Sequence, residues 1–113
     1  MDYTQEQVNL IVEEAKLAAN EAATKFFRER LGGVDQMACG FAWVEIYGVK
    51  GNTKLGKKLK AAGVDRAYNG TLQIWNPSGL GCQNIDTKEA GAEAAAAVFT
   101  QYGFRAYAGS RMD

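Results

Sequence analysis

Three groups of residues in this chain have the types and spacing to do chemistry. Glu45 lies in the run Phe41-Ala42-Trp43-Val44-Glu45-Ile46-Tyr47, where aromatic neighbours would raise a carboxyl pKa toward the range of a general acid or base. Lys50, Lys54, Lys57 and Lys58 follow, beginning within the turn Gly48-Val49-Lys50-Gly51-Asn52-Thr53-Lys54. A strand-to-helix turn of this kind offers backbone N–H groups to phosphate, although the Walker spacing GxxxxGK[ST] is absent. Trp43, Tyr47, Gln73 and Trp75 fall on alternate positions of two apolar runs, a placement that suits stacking on a planar ligand.

What is missing narrows the chemistry. With no His among 113 residues, a Ser-His-Asp triad, HExxH zinc chemistry and His-centred base catalysis are excluded. Cys39 and Cys82 match neither CxxC nor a zinc spacing, and Cys39 has no His to activate it as a nucleophile. Both thiols are expected to be reduced and structural, and no metal or cofactor is expected. A lone Glu on a strand is usually satisfied by a neighbouring donor, so Glu45 is a weak catalytic candidate and binding is expected ahead of catalysis.

Charge refines the binding reading. The chain balances 13 basic against 13 acidic residues, yet the segment 49–66 holds Lys50, Lys54, Lys57, Lys58, Lys60 and Arg66 against Asp65 alone. The segment 1–36 is acidic, with seven carboxylates against four cations. The simplest role for the basic run is a solvated helix face, and the sharper one is an anion site. Asp2, Glu6, Glu13 and Glu14 stand where a signal peptide needs a basic start, and no apolar run is long enough to cross a bilayer. A cytoplasmic protein is expected, without membrane contact.

These residues must be positioned by a small α+β unit. Thr4 and Gln7 form a capping-box pattern, and Val8, Ile11, Val12, Ala15, Ala18, Ala19, Ala22 and Phe26 recur at helical spacing up to Gly32-Gly33. They predict a long amphipathic helix within 1–36, roughly 40 Å in length. From Cys39 to Tyr47 the period changes to two, predicting a strand; Asn52 or Thr53 caps a short helix that ends at Gly63. Asn69-Gly70 predicts a type I′ hairpin turn between Arg66–Tyr68 and Thr71–Trp75. Asp86 with Glu89 opens an Ala-rich helix that stops at Gly103, and Phe104–Ala108 reads as a last strand.

The order after the first helix is that of a ferredoxin-like split βαβ domain over 37–113, with three or four strands and helices on one face. One strand face then carries Phe41, Trp43, Glu45, Tyr47, Gln73, Trp75, Arg105 and Tyr107. It is expected to be covered by the first helix, buried in a dimer, or used to stack bases. No RNP1 pattern occurs at Thr71–Trp75, so RNA recognition has no motif support.

Met37-Ala38-Cys39-Gly40-Phe41-Ala42-Trp43-Val44, Leu72-Gln73-Ile74-Trp75 and the ending Phe104-Arg105-Ala106-Tyr107-Ala108-Gly109-Ser110-Arg111-Met112-Asp113 resemble a group of short uncharacterised proteins of tailed bacteriophages. The resemblance spans about 37–113 and implies a phage gene product acting inside an infected bacterium, with no functional residue transferred. The leading expectation is a non-enzymatic, oligomeric accessory protein that binds a host protein or sequesters a nucleotide-like ligand. In that expectation Lys50, Lys54, Lys57 and Lys58 hold phosphate while Trp43 and Trp75 stack on the base. A single-stranded nucleic-acid module and a small enzyme using Glu45 are the alternatives.

Overall fold

The computed structural model describes Met1–Asp113. Thr4 starts the first helix, α1 (Gln5–Arg30): its hydroxyl accepts from the Gln7 N–H at 3.1 Å, and the Gln7 side chain accepts from the Thr4 N–H at 2.8 Å. Two of the donors left free at a helix start are thereby satisfied. The chain continues through β1 (Gly40–Tyr47), α2 (Lys54–Ala61), β2 (Asp65–Arg66), β3 (Leu72–Trp75), α3 (Ile85–Gln101) and β4 (Arg105–Met112). The architecture is α+β, with three helices and a four-stranded sheet in the order β2-β3-β1-β4, every neighbouring pair antiparallel.

Alternation along β1 decides which side of the sheet is covered. Gly40, Ala42, Val44 and Ile46 are buried and meet α3, joined by Leu72 and Ile74 of β3 and Ala106 of β4. The core they build with Val8, Val12, Leu59, Val64 and Phe99 is continuous, so α1, α2 and α3 all bury their apolar sides in one cluster. α1 runs antiparallel to α3. Tyr3 donates its hydroxyl to the Tyr102 carbonyl at 2.8 Å at one end, and Asn20 donates to the Ser78 carbonyl at 2.9 Å toward the other. Close approach depends on small residues: a Cβ on Gly91 would stand 2.9 Å from Ser78 Cβ and 3.2 Å from the Ala19 carbonyl oxygen. No helix of the fold is long and apolar enough to cross a membrane.

Several boundaries differ from the sequence-based expectation. The last strand runs on to Met112 because β1 offers paired backbone along its whole length, from Tyr47↔Arg105 to Gly40↔Met112. The cap of α3 is Asn84, whose side chain accepts from the Thr87 N–H at 2.8 Å, so Asp86 sits inside the first turn. At the hairpin, positive φ occurs at Gly70 and not at Asn69, and Ala67 N–H bonds the Thr71 carbonyl at 2.7 Å. The connection is therefore a three-residue turn closed by a left-handed glycine, not a type I′ turn. Cys39 is exposed and Cys82 half-buried, both free, so neither is the core hydrophobe expected of a structural thiol. Burial, then the Asp35 charge, pushes the Cys82 thiol pKa up.

Candidate functional site

The side of the sheet that the helices leave bare carries a row of rings. Trp43 and Trp75 are direct cross-strand partners with ring centroids 4.9 Å apart, and Phe41 meets Trp75 edge-on at 5.9 Å. Tyr47 and Tyr107 pair diagonally at 5.7 Å. Trp75 is 42% exposed and Tyr107 56%, so these rings are solvated on their outer sides. α1 lies on the helix side, which leaves a partner or ligand as what could cover the face.

Glu45 sits in the middle of this face. One carboxylate oxygen accepts the Trp43 indole N–H at 2.7 Å and the other accepts the Tyr47 hydroxyl, so one side chain fixes a ring on each side of it along β1. The hydrogen bond to Glu45 is the main reason that the Tyr47 phenol pKa lies above its ordinary value, with burial and the carboxylate charge adding to it. Gly109 is the second positioning device. It faces Trp43 across the β1–β4 pair, and a Cβ there would stand 2.5 Å from the indole nitrogen. The indole can lie across β4 only because that position has no side chain.

Charge on the face is divided by strand. Arg105 and Arg111 belong to β4 at one edge, and the Arg111 guanidinium stands 5.4 Å from the Phe41 ring centre. Asp65, paired with Gln73, belongs to β2 at the opposite edge. Lys88 reaches the Phe41 end from α3, largely buried, donating to the Gly40 carbonyl at 2.9 Å.

The basic residues form a different site. A cleft of about 790 Å³ opens at the end of β1 where Tyr47 hands over to the loop before α2; Lys50, Lys60 and Arg66 are its cations and no acidic residue lines it. Of the four expected lysines only Lys50 is there. Lys54 and Lys57 are exposed outside it, and Lys58 donates its ammonium to the Tyr3 carbonyl at 2.8 Å, tying α2 to the start of α1. The capping position of α2 is occupied by the Thr53 hydroxyl, which accepts from Gly56 N–H at 3.1 Å, and Thr53 and Lys54 do not line the cleft.

The expected assembly of phosphate-holding lysines and base-stacking tryptophans is thus divided. Trp43, Gln73 and Trp75 share the open face, whereas Lys50 lies beyond the end of β1. Tyr47 alone belongs to both places, four residues and about 13 Å along the strand from Trp43. Lys60 and Arg66 belong to the basic run but not to the expected phosphate-holding set, and Gly109 and Arg111 are not among the expected site residues. Lys60 and Arg66 were visible only as charge, and Arg111 and Gly109 needed the full register of β4. No cluster of His, Cys, Asp or Glu is placed to hold a metal ion. No family model matches the chain, and neither a curated protein nor a solved structure matches it.

Proposed function

We propose that this is a non-enzymatic binding protein of ferredoxin-like, split βαβ type that associates with itself through the aromatic sheet face. The strand order and the two helical crossovers after α1 support the fold-type part of this reading. The observation that carries the rest is the bare face itself, where Phe41, Trp43 and Trp75 form one ring cluster and Tyr47 and Tyr107 a second, joined through Glu45 and partly exposed. A monomer gains little from ordering large rings at a solvated surface, and patches of this kind mark interaction sites.

The division of charge favours a second copy as the occupant. A twofold axis along the strands places β4 of one copy over β2 of the other, bringing Arg105, which lies two residues along from the level of Asp65, toward that carboxylate. An axis across the strands would set β4 on β4 and oppose arginines. The paired strands span roughly 350 Å² in projection at about 3.4 Å per residue and 4.8 Å per strand. That is under half of the roughly 800 Å² each partner gives to a standard interface, so a micromolar dimer is expected rather than an obligate one.

Sedimentation velocity across a concentration series tests this. Wild type should shift from monomer to dimer in the micromolar range, and Trp75→Asp should stay monomeric with unchanged circular dichroism. A wild-type monomer persisting at millimolar concentration would overturn it. A second reading, base stacking by a single nucleic-acid strand on the same face, is motivated by Arg105 and Arg111 beside exposed rings; it predicts oligonucleotide binding that weakens steeply with salt. In the phage setting that the resemblance implies, the partner beyond self would be a host protein or a nucleotide-like molecule. Glu45 serves in this reading as a positioning group for Trp43 and Tyr47, not as an acid or base.

A further inference from the structure

The cleft at the end of β1 is separate from the ring-bearing middle of the sheet, and its construction is specific. Its volume of about 790 Å³ falls within the usual range for small-molecule sites. Lys60 arrives from α2 and Arg66 from β2, and both close over the same bare backbone. A Cβ on Gly51 would stand 3.5 Å from Lys60 Nζ and 3.8 Å from Arg66 Cδ, and one on Gly70 would stand 3.7 Å from Arg66 Nη2. The two cations are thus brought together by the fold of one continuous stretch, in which the loop before α2, the end of α2, β2 and the turn after it close on one another.

The loop that forms the floor is fixed rather than loose. The Lys50 carbonyl accepts from Thr53 N–H at 3.1 Å and from the Thr53 hydroxyl at 2.6 Å. It lies so close to α2 that a Cβ on Gly56 would be 2.0 Å from its oxygen. On the far wall, Thr71 N–H donates to the Asn69 side chain at 3.0 Å, which holds the turn around Gly70. Ile46, Tyr47 and Val49 supply the apolar part of the lining.

We propose that this cleft binds a phosphorylated small molecule of the nucleoside diphosphate class. Its phosphates would lie among Lys50, Lys60 and Arg66, and its ring system against Tyr47 and Val49. Three cations gathered without a carboxylate repel one another, and a diphosphate relieves that repulsion while accepting charge-assisted hydrogen bonds from each. The inference goes beyond self-association and does not depend on it.

Calorimetric titration of the full chain with ADP at low ionic strength tests the proposal, with inorganic pyrophosphate as the ring-less probe. Saturable binding at one ADP per chain is expected, tighter than pyrophosphate. Lys60→Ala and Arg66→Ala, both at exposed positions, should each weaken ADP by about tenfold. Lys57→Ala, outside the cleft, should change it less than twofold, and the monomeric Trp75→Asp protein should bind at least as tightly as wild type, since Tyr47 also lies on the face that self-association covers. Absence of saturable binding, an equal loss in Lys57→Ala, or pyrophosphate binding as tightly as ADP would overturn the assignment.

Discussion

β1 serves two surfaces with opposite size rules. Toward the helices it presents Gly40, Ala42, Val44 and Ile46, small or medium residues that are buried; toward the open side it presents three large rings, Phe41, Trp43 and Tyr47, with Glu45 among them. The inward set is small because α3 comes close: a Cβ on Gly40 would meet Ile85 Cδ1 at 2.5 Å. The outward set has no such neighbour in the chain and is organised laterally, ring against ring and ring against Glu45. Burial holds the first face together, and the second face is ordered before anything covers it. That preorganisation is what a binding surface needs, since side chains already held by neighbours lose less entropy when a partner arrives.

The sharpest way to break this comparison is to truncate one large side chain on each side. Phe99→Ala, at a fully buried ring that meets Phe104 edge-on at 5.8 Å, should lower the unfolding free energy by about 3–5 kcal/mol in denaturant titration. Trp75→Ala should cost the monomer about 2 kcal/mol, less than Phe99→Ala because the ring is already 42% exposed, while abolishing association in sedimentation. Equal losses of stability would mean that the open face belongs to the core of the monomer and has no separate role.

Gly109 and Glu45 probe the lateral order of the open face. Gly109→Ala pushes a methyl group into the Trp43 indole, and a cost of about 1–3 kcal/mol is expected, with a change in Trp fluorescence that marks the displaced ring. Glu45→Gln keeps the shape but loses the charged acceptor shared by Trp43 and Tyr47, and about 1 kcal/mol of stability should go with it. An unchanged fluorescence spectrum in both variants would show that the rings are placed by something other than these two residues.

Local signals were legible in the sequence where one segment settles its own structure. The capping box at Thr4 and Gln7, the stripe of α1 and the period-two run of β1 are of this kind; the capping box and the strand are observed as expected, and the stripe is buried from Val8 to Ala19 before shifting to Ala23 in place of Ala22. Features decided by distant partners were not. Gly109-Ser110-Arg111-Met112 has no strand pattern of its own and becomes β4 because β1 continues beside it. Lys54, Lys57 and Lys58 are close in sequence, but helical rotation and the Tyr3 carbonyl direct them away from Lys50. Their places in the cleft are taken by Lys60 and Arg66, which only the packing of α2 beside the β2–β3 turn brings together. The same holds for the bare face: alternation identified its residues, and only the docking of α1 on α3 decided that no helix covers it.

The smallest expected effect is the most specific to the comparison, because each side of the molecule carries one tyrosine hydrogen-bonded to a glutamate. Tyr47 donates to Glu45 on the open face, and Tyr102 donates to Glu14 at 2.9 Å between α1 and the end of α3; in both cases the hydrogen bond is the main cause of a phenol pKa above the ordinary value of 10.0. A raised folded-state pKa means that the folded chain holds the phenol proton more tightly than the unfolded chain does. The contribution to stability is therefore fully present below about pH 10 and is lost as pH rises through the folded values. Phenolate absorbance against pH, assigned with Tyr47→Phe and Tyr102→Phe, should show both groups titrating late. Covering the open face with a second copy desolvates Tyr47 further and leaves Tyr102 alone, so the Tyr47 midpoint should climb with protein concentration while the Tyr102 midpoint stays fixed. Two midpoints that move together, or neither moving across the range where sedimentation reports association, would place the contact between copies somewhere other than the aromatic face.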